Sequence, residues 1–306
     1  MRNPDPLPSR LAEGCWFARR DLDALGLTSR QRARLARPHP GVYGLRMPIS
    51  VLEDAQAAEL ILPGHAAFSH ETAARLQHLP LPQRWEPSVR PPIDVVVRGR
   101  SRPKAATIRA HRPGRQHIGV RAGEGLTHRV VTPPHVFVEL APQLSLLDLV
   151  VLGDAVVGWR SPWRKHHLET AAQAGLPGVV QARRALELVR EDANSVAETR
   201  TRLLLTGAGV PEPQLNVPVV VDGRWLAFVD LYWPRYRLVV EYYGIHHFAT
   251  DQQRRDDIHR VRGLRDHGQR VEELTKEDLA RPDELVARVV RALREQAVLL
   301  GLPAPV

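Results

Sequence analysis

Two apolar runs joined by a proline turn constrain this chain more than any other feature. Trp225-Leu226-Ala227-Phe228-Val229-Asp230-Leu231 and Arg237-Leu238-Val239-Val240-Glu241 flank Trp233-Pro234-Arg235. Each run is short and rich in β-branched, aromatic or leucine side chains, and the proline turn lies between them, the pattern of strands rather than helices. So short a connection makes them antiparallel neighbours. Half of the chain's aromatic residues fall between Trp225 and Phe248, so a dense core is expected there. Around the hairpin the pattern predicts a helix over 195–206, strands near 215–221, 225–232 and 236–243, a helix over 250–267, a strand over 269–274 and a helix over 276–299. That αβββαβα order argues for an α/β layer around a mixed sheet, in a domain spanning 191–306.

The hairpin also carries acids. Asp230 stands near the end of one strand and Glu241 in its partner, and opposite Cβ atoms of a ladder lie ~5 Å apart. Two carboxylates that close repel unless a cation lies between them, and hard oxygen donors suit Mg²⁺ or Mn²⁺. Such an ion polarises a phosphoryl oxygen and lowers the pKa of a bound water, as phosphodiester hydrolysis requires. The plainer reading is a pair of strand-end acids facing solvent. Glu198 is either a third ligand or the far member of a capping box, Ser195-Val196-Ala197-Glu198, folded back onto its own helix start. His246 and His247 follow the turn glycine Gly244; they are a surface pair, or His247 serves as general acid or base. Asp256 and Asp257 suit the N-terminal end of a helix dipole. Arg260, one turn beyond Asp257, either pairs with it or meets phosphate.

Charge bears on the partner. The 306 residues carry a formal charge of +9, and only Lys104, Lys165 and Lys276 among the 43 basic residues are lysines. A GC-rich coding bias yields such a composition by itself, but the physical consequence stands: an arginine-rich surface with pI ≈ 10.5 favours polyanions. Nucleic acid is the expected partner. The length fits two or three domains. No apolar run reaches the ~18 residues of a membrane span, so no membrane association is expected. The polar start Met1–Arg10 lacks the apolar stretch of a signal peptide, and Cys15, the single cysteine, excludes an internal disulfide. A cytoplasmic location fits.

Residues 1–50 read as a helix-turn-helix with a wing. A short helix over Arg19–Leu25 is stopped by Gly26, and Thr28 opens a second, Ser29–Leu35, with Gln31 at the capping-box spacing. Arg30, Arg32, Arg34 and, just past it, Arg37 make this the candidate recognition helix for DNA, against a generic helical hairpin with solvated arginines. Pro38–Leu45 reads as the wing. Residues 51–190 form a mixed α/β middle region, with helices over Val51–Leu62, Ser69–Leu76 and Leu144–Val157 and strands over Ile93–Arg98, Thr107–His111 and His128–Thr132. Between Arg98 and Arg129 nine basic residues face one acid, Glu124, so this segment either contacts phosphate or blunts a sheet edge. The fold class is α/β, α+β overall.

The order Glu198-Thr199-Arg200, Gln214–Val221, Phe228–Pro234, Leu238–Gly244, His246-His247, Asp257, Arg260, Leu264, Gly268 resembles the very-short-patch-repair-endonuclease-like branch of the PD-(D/E)XK nuclease superfamily. The first two-thirds is similar to the AbiEi-type antitoxin family of transcriptional regulators, through Ser69-His70-Glu71-Thr72-Ala73-Ala74 and Gly41-Val42-Tyr43. The first resemblance implies a restriction-endonuclease-like domain with Asp230 and Glu241 as metal ligands and Glu198 as the supporting helix acid. The second implies an N-terminal winged helix, with a cognate toxin as a further partner. One residue departs from the nuclease pattern: the second position after the strand glutamate is usually an acid in this branch and a lysine in the wider superfamily, and here it is Tyr243. Two functions therefore stand side by side: a Mg²⁺-dependent DNA endonuclease, and a DNA-binding regulator of antitoxin type on a catalytically inactive nuclease fold.

Overall fold

The computed structural model describes residues 7–9, 11–12, 14–85, 90–99, 103, 105–113, 119–173, 177–243 and 251–305. The architecture is mixed α/β, in two compact units: residues 1–156 with 165–188, and residues 157–164 with 189–306. No helix among the described residues is long and apolar enough to cross a membrane.

In the first unit β1 (Phe17–Ala18) leads into α1 (Arg19–Ala24), and α2 (Ser29–Arg32) follows a turn at Gly26, whose φ of +67° suits a residue without Cβ. Thr28 caps α2. Its Oγ1 accepts the Gln31 N–H at 3.3 Å, and Gln31 Oε1 accepts the Thr28 N–H at 2.9 Å. The helix expected over Ser29–Leu35 stops at Arg32, because the amides of Arg34 and Leu35 bond three residues back and Ala36 then bridges to Gly44. That bend buries Leu35 with Leu22, Leu27 and Tyr43. β2 (Val42–Tyr43) pairs antiparallel with β1.

The same unit continues through α3 (Val51–Glu59), β3 (Ala67–Phe68), α4 (His70–Leu76), β4 (Ile93–Val96), β5 (Ile108–His111), β6 (Val120–Ala122) and β7 (Arg129–Val131). Helices α5 (Pro133–Leu140), α6 (Leu146–Val157), α7 (Lys165–Ala171) and α8 (Val179–Leu188) follow. Five of the strands form one sheet in the order β5-β4-β3-β7-β6. Patterning does not single out α5, α7 or α8. Pro133 and Pro134 open α5, where a missing N–H leaves no bond unmade.

The second unit runs α9 (Val196–Gly207), β8 (Gln214–Val221), β9 (Arg224–Trp233), β10 (Leu238–Tyr242), α10 (Asp251–Asp266), β11 (Arg270–Leu274), α11 (Lys276–Leu279) and α12 (Pro282–Leu299). Its sheet order is β11-β10-β9-β8, with β10 and β11 parallel and the other pairs antiparallel. A parallel neighbour needs a crossover, and α10 supplies it. The sheet has a core on each side. Leu231, Leu238 and Val240 pack with Leu205 of α9 and Leu293 of α12, while Val229 and Val239 pack with Val261 and Leu264 of α10. The single helix expected over 276–299 is two, because Pro282 cannot donate an amide to continue α11 and instead starts α12.

Candidate functional site

The β9–β10 ladder aligns Leu238 with Trp233, Val239 with Tyr232 and Val240 with Leu231, so Asp230 and Glu241 follow at its open end. The amide of Tyr242 donates to Asp230 Oδ2 at 2.8 Å, which holds that carboxylate against β10. Glu241 is buried at 5% exposure. Burial pushes its carboxyl up to about 8, the charge of Asp230 adds to that, and Arg260 opposes it. The two acids therefore share one electrostatic field, as the hairpin predicts.

Helix α10 answers Glu241. Arg260 Nη1 lies 2.5 Å from Glu241 Oε1, and Nη2 lies 3.2 Å from Asp257 Oδ1. The guanidinium thus bridges both acids, and Arg260 serves the acid cluster rather than standing clear as a phosphate contact. Tyr243, the residue that departs from the nuclease pattern, fixes its backbone by donating to the Leu274 carbonyl at 2.7 Å. Burial pushes its phenol up to about 12, so it stays protonated beside Arg260 and Glu241.

Glu198 is held as a cap. Ser195 Oγ accepts the Glu198 N–H at 3.1 Å, and Glu198 Oε2 accepts the Asn194 N–H at 2.9 Å. Asn216, on β8 with φ of +47°, donates its side-chain amide to the same oxygen at 2.6 Å. Burial raises the Glu198 pKa, and Asp230 is among the charges that raise it further. Asp230 therefore acts on both glutamates. His247, the candidate acid or base, lies outside the described residues.

Mg²⁺ or Mn²⁺ is the ion that paired carboxylates of this kind suit. Among the described residues no three His, Cys, Asp or Glu side chains come together in a way that could hold a metal ion. Glu198 is committed to two amides and Glu241 to a guanidinium.

At the N-terminal end Arg30, Arg34 and Arg37 are exposed. The Arg37 guanidinium sits over the Tyr43 ring, 5.3 Å from its centroid. Arg32 is only partly exposed. Its Nη1 pairs with Asp23 at 2.5 Å and its Nε donates to the Leu27 carbonyl at 2.9 Å, so it ties α2 to α1. The sequence reading missed Asn216 and the Arg260–Glu241 pair; the polar Asn216 within an otherwise apolar strand was the available signal for the first.

No protein-family model matches the chain. It is 28% identical over 268 residues to an uncharacterized protein of Mycobacterium tuberculosis strain CDC 1551, covering 85% of this chain and 92% of the relative. A protein of strain H37Rv, also uncharacterized, matches with the same identity and coverage. No solved structure matches.

Proposed function

We propose that this is a cytoplasmic DNA-binding protein, a regulator of the antitoxin type. Residues 1–50 act as a winged helix-turn-helix that presents Arg30, Arg34 and Arg37 to the duplex. Residues 191–306 form a restriction-endonuclease-like unit of the PD-(D/E)XK type, used without hydrolysis. The observation that carries the reading is the exposure of Arg30 on the capped helix α2 and of Arg34 and Arg37 just beyond its C-terminal end, with Arg32 tying that helix to α1. The antitoxin resemblance adds a cognate toxin as a second partner. Fluorescence anisotropy with duplex DNA across a salt series tests the reading. Replacing Arg30 and Arg34 by alanine should weaken binding and reduce the slope of log K against log salt by ~2, since each phosphate contact contributes ~0.9. Unchanged affinity in that variant would remove the helix assignment.

A second reading, the Mg²⁺- or Mn²⁺-dependent DNA endonuclease, draws on the reach of Asp230 to both Glu198 and Glu241. In it Asp230, Glu241 and Glu198 hold the ion, His247 handles a proton, and Arg260 turns to phosphate. Cleavage of supercoiled and single-stranded DNA by the full chain, with Glu241→Ala alongside, separates the two. Chelator-sensitive cutting by the unaltered chain alone supports the endonuclease. A gel shift without cutting supports the regulator.

A further inference from the structure

The segment Ser69-His70-Glu71-Thr72-Ala73-Ala74, which carries the antitoxin resemblance but contacts neither DNA nor metal in the functions above, borders a cluster of ionisable groups inside the first unit. His70 opens α4 with φ of +47°, a left-handed conformation uncommon for a residue carrying a Cβ. Four contacts hold it. Its backbone N–H donates to Glu139 Oε2 at 2.9 Å. Its Nδ1 lies 3.1 Å from Ser69 Oγ and 3.5 Å from Glu139 Oε2. Its ring stacks on His111 with centroids 3.7 Å apart and planes 15° from parallel.

The second histidine has its own acid. His111 Nε2 is 2.7 Å from Asp94 Oδ1, which Arg109 Nη1 also approaches at 3.3 Å. Asp94 is fixed along its backbone: its N–H donates to Thr72 Oγ1 at 2.8 Å, and its carbonyl accepts the Ser69 N–H at 3.0 Å. The groups converge from every element around His70: Glu139 from α5, Asp94 from β4, Arg109 and His111 from β5. Ser69 is fully buried, and its hydroxyl meets the same ring nitrogen as Glu139, so these residues do not form a nucleophile–base–acid triad.

The two carboxyls differ in their company. Asp94 has Arg109 and His111 beside it. Glu139, with 4% of its side chain exposed, meets a backbone N–H and the His70 imidazole. An anion there would be buried close to Asp94, whereas a carboxylic acid beside a neutral imidazole carries no charge. Burial, with Asp94 adding to it, pushes Glu139 up to about 8; burial, with His111 and Arg109 adding to it, pushes His70 down to about 4.

We propose that His70 and Glu139 form a neutral, proton-holding latch that seats α4 on α5 and loosens when alkali removes the proton from Glu139. The proton balance is explicit. Between the ordinary values of 4.5 for the carboxyl and 6.5 for the imidazole, the unfolded chain carries the proton on His70. In the folded chain Glu139 carries it, so folding moves one proton from nitrogen to oxygen and exchanges none with solvent. Between 6.5 and about 8 the unfolded pair holds none and the folded pair holds one, taken from water. The folded carboxyl pKa lies above the unfolded one, so the latch's contribution is lost as pH rises through about 8.

Infrared spectroscopy of the full chain between pH 6 and 9 tests this, with Glu139→Gln and Glu241→Gln compared. Gln is isosteric with the protonated acid and keeps the acceptor for the His70 amide. The expected result is a carboxylic-acid carbonyl band that persists at pH 7, titrates away near pH 8, disappears in Glu139→Gln and survives in Glu241→Gln. Amide exchange of residues 70–76, corrected for its intrinsic pH dependence, should accelerate about tenfold per pH unit between 6.5 and about 8 and level off above that, because opening releases the Glu139 proton only in this window. That acceleration should be absent in Glu139→Gln. NMR of the His70 ring, identified by its loss in His70→Asn, should show a neutral imidazole at pH 6; asparagine is chosen because it tolerates positive φ. A His70 ring titrating near 6.5, or the lack of a Glu139 acid band at pH 6, overturns the neutral pair. An acid band with the same exchange profile in Glu139→Gln overturns the latch.

Discussion

Each unit buries a glutamate whose carboxyl is pushed up to about 8, and each places an aspartate close enough to raise it. The answers differ. Glu139 meets a neutral ring and an amide, whereas Glu241 meets the guanidinium of Arg260 at 2.5 Å. Burial sets the problem in both places, and the sequence neighbourhood sets the solution. Helix α5 supplies apolar company around Glu139, while α10 is dominated by charged residues and brings a cation over β10.

Removing the cation should have the largest effect. Arg260→Met leaves Glu241 buried beside Asp230 and should cost about 3 kcal/mol at pH 8, the lower end for breaking a buried pair, because protonation relieves part of the loss. At pH 6 the cost should shrink; urea unfolding at the two values measures both, and an equal loss at each would break the contrast with Glu139. The amide variants come next. Glu241→Gln and Glu139→Gln should each cost less than about 1 kcal/mol at pH 6, where both acids hold a proton, and Glu241→Gln should cost more above pH 8, where it removes the charge that faces Arg260. Equal costs in the two variants above pH 8 would show that Arg260 makes no difference between the two acids. Ser195→Ala should cost about 1 kcal/mol by freeing the start of α9, and Thr28→Ala, in an exposed and shorter helix, about 0.5 kcal/mol. Thermal or urea unfolding of the two cap variants shows whether the second unit depends on its caps more than the first.

What was legible in the sequence follows the same division. Asp230 and Glu241 could be placed together because a period of two residues and one tight turn determine a hairpin register locally. The Ser195 cap of α9 was legible for the same reason, lying within four residues, although Glu198 reaches back to the Asn194 amide and not to that of Ser195. Arg260 and Glu241 are 19 residues apart, and their meeting depends on how the crossover helix lies on the sheet, which no local pattern encodes. Glu139 is harder still. It sits within Val136-Phe137-Val138-Glu139-Leu140, where a single acid in an apolar helix was the available signal, and its partner His70 takes a backbone conformation that residue type does not announce. The hold of Asp23 on Arg32, nine residues later, was not legible from the run of arginines alone.

The four-stranded sheet of the second unit ends in two edges, β8 and β11, and an open edge can recruit a strand from another molecule. Both edges are guarded. Pro218 removes an amide from the middle of β8, and the left-handed turn at Asn216 breaks the run of evenly spaced donors and acceptors. β11 carries Arg270, Glu272 and Glu273, each already paired with another side chain. A hairpin this rich in aromatic residues would otherwise be a template for aggregation; a proline, one bent residue and a few ion pairs let the chain keep its sheet to itself.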